Sequence, residues 1–287
     1  MAWTTLVVQI GIVVTGGAVR LTASGLGCPT WPQCTDDSLI TTPEMGIHGV
    51  IEFGNRLLTF VLALVAILTF LAVVRLKNSR PELFWIALVI GLGIPAQAVI
   101  GGISVWVKLN PYVVGLHFVL SIALIVLSSV LLYRVSYGAS GRTSLVSPLQ
   151  NWLLWLMAIF QAITIGFGIL TTGSGPHAGD AQAPRNGLDS EALQHVHSFP
   201  AYVALLLTFI LIALNARPPR TLLKPLIALL LINVAQAAVG ILQSHLGLPP
   251  LLVAIHMLLA CVVAALVSWL LVASRSVRAE EQRKAAV

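Results

Sequence analysis

Eight apolar runs, each near or above the ~20 residues a helix needs to cross the hydrocarbon core of a bilayer, leave this chain little choice but a helical membrane bundle. They fall at roughly 2–20, 47–74, 83–106, 112–133, 151–171, 192–214, 222–244 and 251–273, joined by short connections. Composition agrees: of 287 residues 57% are hydrophobic and only 9% charged, against roughly 25% charged in soluble domains. The first run is expected to stay in the membrane, because it has no basic leader and Gly16, Gly17 and Arg20 stand where a signal peptide needs a small-residue cleavage site.

The cations set an orientation. Arg75, Lys77, Arg80, Arg134, Arg142, Arg217, Arg220, Lys224, Arg275, Arg278, Arg283 and Lys284 follow even-numbered runs, while the other connections hold only Arg20, Lys108 and Arg185. Positive residues stay on the cytoplasmic side, so both termini are expected there, in a cell (plasma) membrane. The net charge of +6 then reflects this bias and contact with anionic membrane lipid. No basic patch interleaved with aromatics points to nucleic acid.

The sequence repeats. Ala96-Gln97-Ala98 is followed by His117 twenty residues beyond the glutamine, and Ala235-Gln236-Ala237 by His256 at the same spacing. Thr15-Gly16-Gly17 through Gly25 resembles Ile165-Gly166-Phe167 through Gly175, and Glu52-Phe53-Gly54-Asn55-Arg56 occupies the place of Gln194-His195-Val196-His197-Ser198. Each half therefore carries four helices. An even number preserves orientation, so the halves are expected to be parallel, pseudo-symmetric four-helix bundles about an axis along the membrane normal. The division is residues 1–135, a cytoplasmic linker 136–149, residues 150–274, and a basic cytoplasmic tail 275–287.

Equivalent residues share depth. His48, His117, His197 and His256 all come just after connections on the outer side, which puts them in the outer half of the bilayer. His197 and His256 can oppose one another across the second bundle. In the first, His117 faces Asn55, with Glu52 and His48 on the stripe of Asn55. Two opposed neutral imidazoles in an apolar bundle suit the axial positions of a haem iron. A single membrane histidine more often bonds a neighbouring helix or relays protons, and the repetition favours the ligand reading. His195 is expected near the interface, and His177 and His245 in solvated connections.

Glu52 is the one carboxylate inside an expected span, at an insertion cost of roughly 2.5 kcal/mol or more. It is read either as a partner for Arg56 at i+4 or as a proton acceptor. Gly101, Gly102, Gly166, Gly168 and Gly240 allow helices, or a flat macrocycle, to come close. Cys28 and Cys34 lie in an outward, oxidising connection and are expected to form a disulfide, the alternatives being free thiols or a weak metal site. Cys261 reads as packing, and the Gly- and Pro-rich connection 172–191 as an external lid.

Taken together, the run Gly16 to Pro29, Cys34, the segment Glu52 to Arg56, Gln97 with Gly101-Gly102, and His117, His197 and His256 resemble the haem A synthase family. The resemblance covers nearly the whole chain. It implies a membrane oxidoreductase that oxidises a methyl group of haem O to the formyl group of haem A, for use by cytochrome oxidase. A haem b cofactor is implied between His197 and His256, with the substrate haem in the first half on His117. Where the family pattern has Glu-x-x-His this chain has Glu52-x-x-Asn55, so the second axial position would be open or weakly held by Asn55. His48 is about 10 Å further along the helix, too far to replace a ligand there without a shifted haem. Glu52 would handle protons or stabilise a cationic intermediate, and the cysteine loop would cap the site or exchange electrons as a dithiol, the cap being the simpler role. The electron acceptor is not legible, and haem O synthase, the cytochrome oxidase assembly machinery or a homo-oligomer are candidate partners. The rival readings are a bis-histidine cytochrome b-type electron carrier and a haem-handling scaffold or transporter.

Overall fold

The computed structural model describes residues 1–138, 146–216 and 222–275, and among them helix is the only regular structure. The helices are α1 (Ala2–Leu21), α2 (Gly46–Val74, entered through a 3₁₀ turn at Pro43–Met45), α3 (Pro81–Trp106), α4 (Pro111–Tyr137), α5 (Pro148–Ser174), α6 (Ser190–Asn215), α7 (Leu223–His245) and α8 (Pro250–Ala273). All eight are long and apolar enough to span a membrane, and they match the eight expected runs to within a few residues. Of the cations that set the expected orientation, Arg142, Arg217, Arg220, Arg278, Arg283 and Lys284 lie outside the described residues, as does much of the expected linker and tail.

Local chemistry explains where the helices begin. Pro81, Pro111, Pro148 and Pro250 open α3, α4, α5 and α8, where a fixed φ is pre-set for helix and the missing N–H costs nothing. Asn110 caps α4 by accepting from the Tyr112 amide, Ser147 and Gln150 form a capping box on α5, and Asp189 accepts from the Glu191 and Ala192 amides on α6. These caps extend the helices a few residues beyond their apolar runs. Pro95 and Pro200 sit inside α3 and α6, as membrane helices tolerate when neighbours take up the freed carbonyl.

Helix α1 packs on α2 and α4, α2 on α3, and α3 on α4, which closes one ring of four; α5 packs on α6 and α8, α6 on α7, and α7 on α8, which closes another. The rings meet where α8 packs on α4 and α1, and α4 on α5. Leu6, Val13, Ile125, Leu132, Cys261 and Ala265 fill that seam, so Cys261 is a packing residue. The Ser129 hydroxyl donates across it to the Ala265 carbonyl at 2.7 Å. In the second ring the end away from the disulfide is solid, with Leu154, Met157, Leu211, Leu226, Leu229 and Leu270 fully buried. Large apolar side chains such as Phe60, Leu92, Phe209 and Leu231 point outward, the surface lipid requires of a multi-pass membrane protein.

The connection after α5 is tied down. Its Asn186 amide donates to the Gly173 carbonyl at 3.1 Å and its side chain to Leu170 at 2.8 Å, while Gly179 accepts from the Gly25 amide at 2.7 Å.

Candidate functional site

Six residues separate Pro250 from His256 and Pro111 from His117, and seven separate Ser190 from His197. A rise of 1.5 Å per residue puts all three imidazoles roughly 9–10 Å below the bundle end that carries the cysteine loop. Helix α6 brings His197 against α5, where its Nδ1 lies 2.8 Å from the Thr164 carbonyl. That bond makes Nδ1 the donor and leaves Nε2 free to ligate. On α8, His256 lies against α7. The two ring centroids are 6.1 Å apart, with planes at 66°. Imidazole nitrogens bonded at ~2.0–2.1 Å on opposite sides of one ion place their centroids roughly 6 Å apart, so the pair has the spacing that axial ligation needs. No cluster of three or more His, Cys, Asp or Glu among the described residues could hold a bare ion. A metal here would bring its own equatorial ligands, as a porphyrin does.

Glycines make these ring positions possible. A Cβ on Gly168 would lie 2.9 Å from Cε1 of His197, one on Gly240 3.1 Å from that of His256, and one on Gly101 3.3 Å from that of His117. The sequence marked these glycines for close approach of helices or a macrocycle; what approaches is the histidine edge. Gly166, marked with them, meets nothing within 4 Å.

In the first ring Gln97 crosses from α3 to α4, donating to the His117 carbonyl at 3.2 Å and to Ser121 Oγ at 2.7 Å. Its Oε1, His117 Nδ1 and Asn55 Oδ1 are buried without a hydrogen-bond partner, as is Oε1 of Gln236, the repeat of Gln97. Buried polar atoms are rarely left so, and in both rings they cluster at the level of the histidines. Asn55 points toward α1, its Nδ2 4.0 Å from where Gly16 would carry a Cβ. His48 is exposed and turned away, one ring nitrogen 2.9 Å from Ser24 Oγ. His195 is exposed, and His245 is the exposed last residue of α7. His177, expected to be solvated, is half-buried with Nε2 2.8 Å from the Leu248 carbonyl.

Cys28 and Cys34 form a disulfide and are fully buried. Glu52 holds their loop on α2: one carboxylate oxygen accepts from the Cys28 amide at 2.5 Å and the other from Arg56 Nη2 at 2.6 Å. Arg56 donates in turn to the carbonyls of Cys28 at 3.0 Å and Gln33 at 3.2 Å. Of the two readings of Glu52, the Arg56 partnership is visible, with an added bond to the loop that the sequence did not signal. On the other side Trp31 lies flat over Gly102, where a Cβ would come within 2.3 Å of the indole, and Trp106 donates to the Trp31 carbonyl at 3.1 Å. The loop therefore spans from α2 to α3 over the end of the first ring.

Two further features escaped the sequence reading. Gln161 donates to Asn233 Oδ1 at 3.0 Å inside the second ring, and Arg20 reaches across to the Thr172 and His177 carbonyls of the other half. Both residues carried a usable signal, polarity within or at the end of an apolar run.

Eight membrane-spanning helices in two rings, with one histidine pair facing across the second, define a polytopic helical membrane protein. The chain belongs to the cytochrome oxidase assembly protein family COX15-CtaA, whose sequence model matches residues 1–179. Among its relatives, a protein of Listeria welshimeri named "Heme A synthase" is 28% identical, over 96% of this chain and 95% of its own length. Another of that name from Listeria monocytogenes is 27% identical over the same shares. A third, from Bacillus pumilus, is 32% identical over 59% of this chain and 55% of its own.

Proposed function

We propose that this chain is a haem A synthase, oxidising one porphyrin methyl group of haem O to a formyl group, with haem b as resident cofactor. The observation that carries the reading is the inequality of the rings: one presents two opposed imidazoles at 6.1 Å, and the other presents His117 with Asn55 in place of a second histidine. The name shared by relatives that align over nearly the whole chain supports it.

Under this reading His197 and His256 hold haem b, which when bound supplies one-electron redox chemistry. Substrate haem O sits in the first ring on His117, with Asn55 leaving the opposite face open or weakly held. His48, occupied by Ser24, takes no part as a ligand. Methyl plus one water gives formyl plus four protons and four electrons, which leave for a separate acceptor. The protein's contribution is orientation and proton handling. Gln97 fixes the α4 backbone at His117, and the loop anchored by Glu52 and Trp31 closes the ring end and limits water there. Glu52, the buried carboxylate nearest the loop, is the candidate proton acceptor. The sites lie in the outer half of a plasma membrane with both termini cytoplasmic, and the rings are parallel repeats. Haem O synthase and the oxidase assembly machinery are the natural neighbours.

Supplying haem O to an expressing strain and identifying extracted haems by mass tests the reading. Haem A is expected, together with haem b. Persistent absence of haem A at full haem b loading would instead favour a cytochrome b-type carrier, and absence of any haem a scaffold or transporter.

A further inference from the structure

Under the proposed orientation, the outer connections carry few cations, as the positive-inside bias requires, yet two of them converge. Arg20 near the end of α1 and Arg185 in the α5–α6 connection line one cavity of about 90 Å³ with Ala23, Pro176, His177 and Asp180. Neither guanidinium has an ion-pair partner within 4.0 Å among the described residues, and their charges repel one another. Arg20 bonds the His177 carbonyl through Nε at 2.5 Å and Thr172 through Nη2 at 2.9 Å, which leaves Nη1 unengaged. Arg185 bonds the Ala183 carbonyl at 2.6 Å and that of Pro176 at 2.8 Å. Asp180, the one carboxylate on the wall, accepts from the Gln182 amide at 2.8 Å.

A latch between the two halves accounts for Arg20 alone. It does not account for a second, exposed guanidinium beside the half-buried Arg20, which repels it while no counter-charge lies within ion-pair distance of either. We propose that this cavity binds one oxyanion group, a carboxylate or a phosphate, between Arg20 and Arg185. The guanidinium fork matches such groups, and the cavity has room for several water-sized groups. The oxyanion can come from a propionate of bound porphyrin, which rests on the function proposed above, or from a phospholipid headgroup, which does not.

Full-length protein, delipidated in neutral detergent and produced under haem limitation, separates these sources. One arm titrates haem b against its dimethyl ester by absorbance; the other compares lysophosphatidylglycerol with the uncharged monoacylglycerol by native mass spectrometry. The wild type is expected to prefer the charged member of at least one pair by roughly tenfold, from one charge-assisted contact, and Arg185→Gln to abolish that preference. Arg185 is exposed and bonds only its own connection, so an unchanged melting temperature serves as the folding control. No preference in either pair, or one that Arg185→Gln keeps, overturns the proposal. If neither porphyrin binds while the lipid arm shows an Arg185-dependent preference, the oxyanion site stands and the haem reading falls.

Discussion

His197 stands where it does because nothing projects from residue 168. A methyl group there would lie 2.9 Å from Cε1 and 3.2 Å from Nδ1, so the ring would have to leave the Thr164 carbonyl that orients it. Overpacking of this kind costs about 1–3 kcal/mol. Gly168→Ala is therefore expected to lower the haem b retained per purified protein about fivefold or more, measured as the pyridine haemochrome. Gly166→Ala, with open space around it, should leave it unchanged; equal losses in the two variants would show that α5 merely tolerates no alanine. Glu52 supports a different test, because glutamine keeps an acceptor for the Cys28 amide but removes the charge facing Arg56. Glu52→Gln is expected to leave haem b in place and abolish conversion of haem O, while Glu52→Ala should in addition speed reduction of the disulfide by dithiothreitol. Conversion by Glu52→Gln at the wild-type rate would remove the carboxylate from proton handling and leave it an anchor.

Helix α3 shows the same logic at the scale of an element. Gly101 and Gly102 are neighbours, so they face about 100° apart on the helix; one receives His117 from within the ring and the other receives Trp31 from the loop above. Gly102→Ala is expected to displace Trp31 and accelerate disulfide reduction several-fold with His117 undisturbed, and Gly101→Ala to impair conversion with the loop still protected. Identical phenotypes would mean that α3 moves as a block. These elements were unevenly legible in the sequence. All eight helices were legible because twenty apolar residues in a row admit few alternatives, and their ends shifted by a few residues, in α4, α5 and α6 partly where Asn110, Ser147 and Asp189 cap them beyond the apolar run. His197 and His256 were legible as a pair through the repeat. The direction each side chain takes was not, because it depends on which helix supplies the neighbour: Gly168 and Gly101 read as generic small residues, His48 read as a member of the Asn55 stripe until Ser24 claimed it, and His177 read as solvated until the α7–α8 turn closed on it.

For the whole molecule, the helices form two rings of like connectivity whose side chains are unequal. The second ring has two imidazoles facing each other, a polar pair at Gln161 and Asn233, and a solid leucine floor. The first has one such imidazole, Asn55, and a disulfide loop clamped at both edges. Under the proposed function, a haem held by two imidazoles would suit electron transfer, and one held by a single imidazole would suit chemistry on the haem itself. That division predicts separable losses. His197→Ala and His256→Ala are each expected to strip haem b and stop conversion, since the electrons then have no route out. His117→Ala should stop conversion with haem b at the wild-type level, and Asn55→His, which would offer a second imidazole, should bind haem O more tightly and turn it over more slowly. The measurement is haem content and haem identity by mass on the same purified samples. Loss of haem b in His117→Ala, at unchanged melting temperature, would place the cofactor across both rings and end the division of labour.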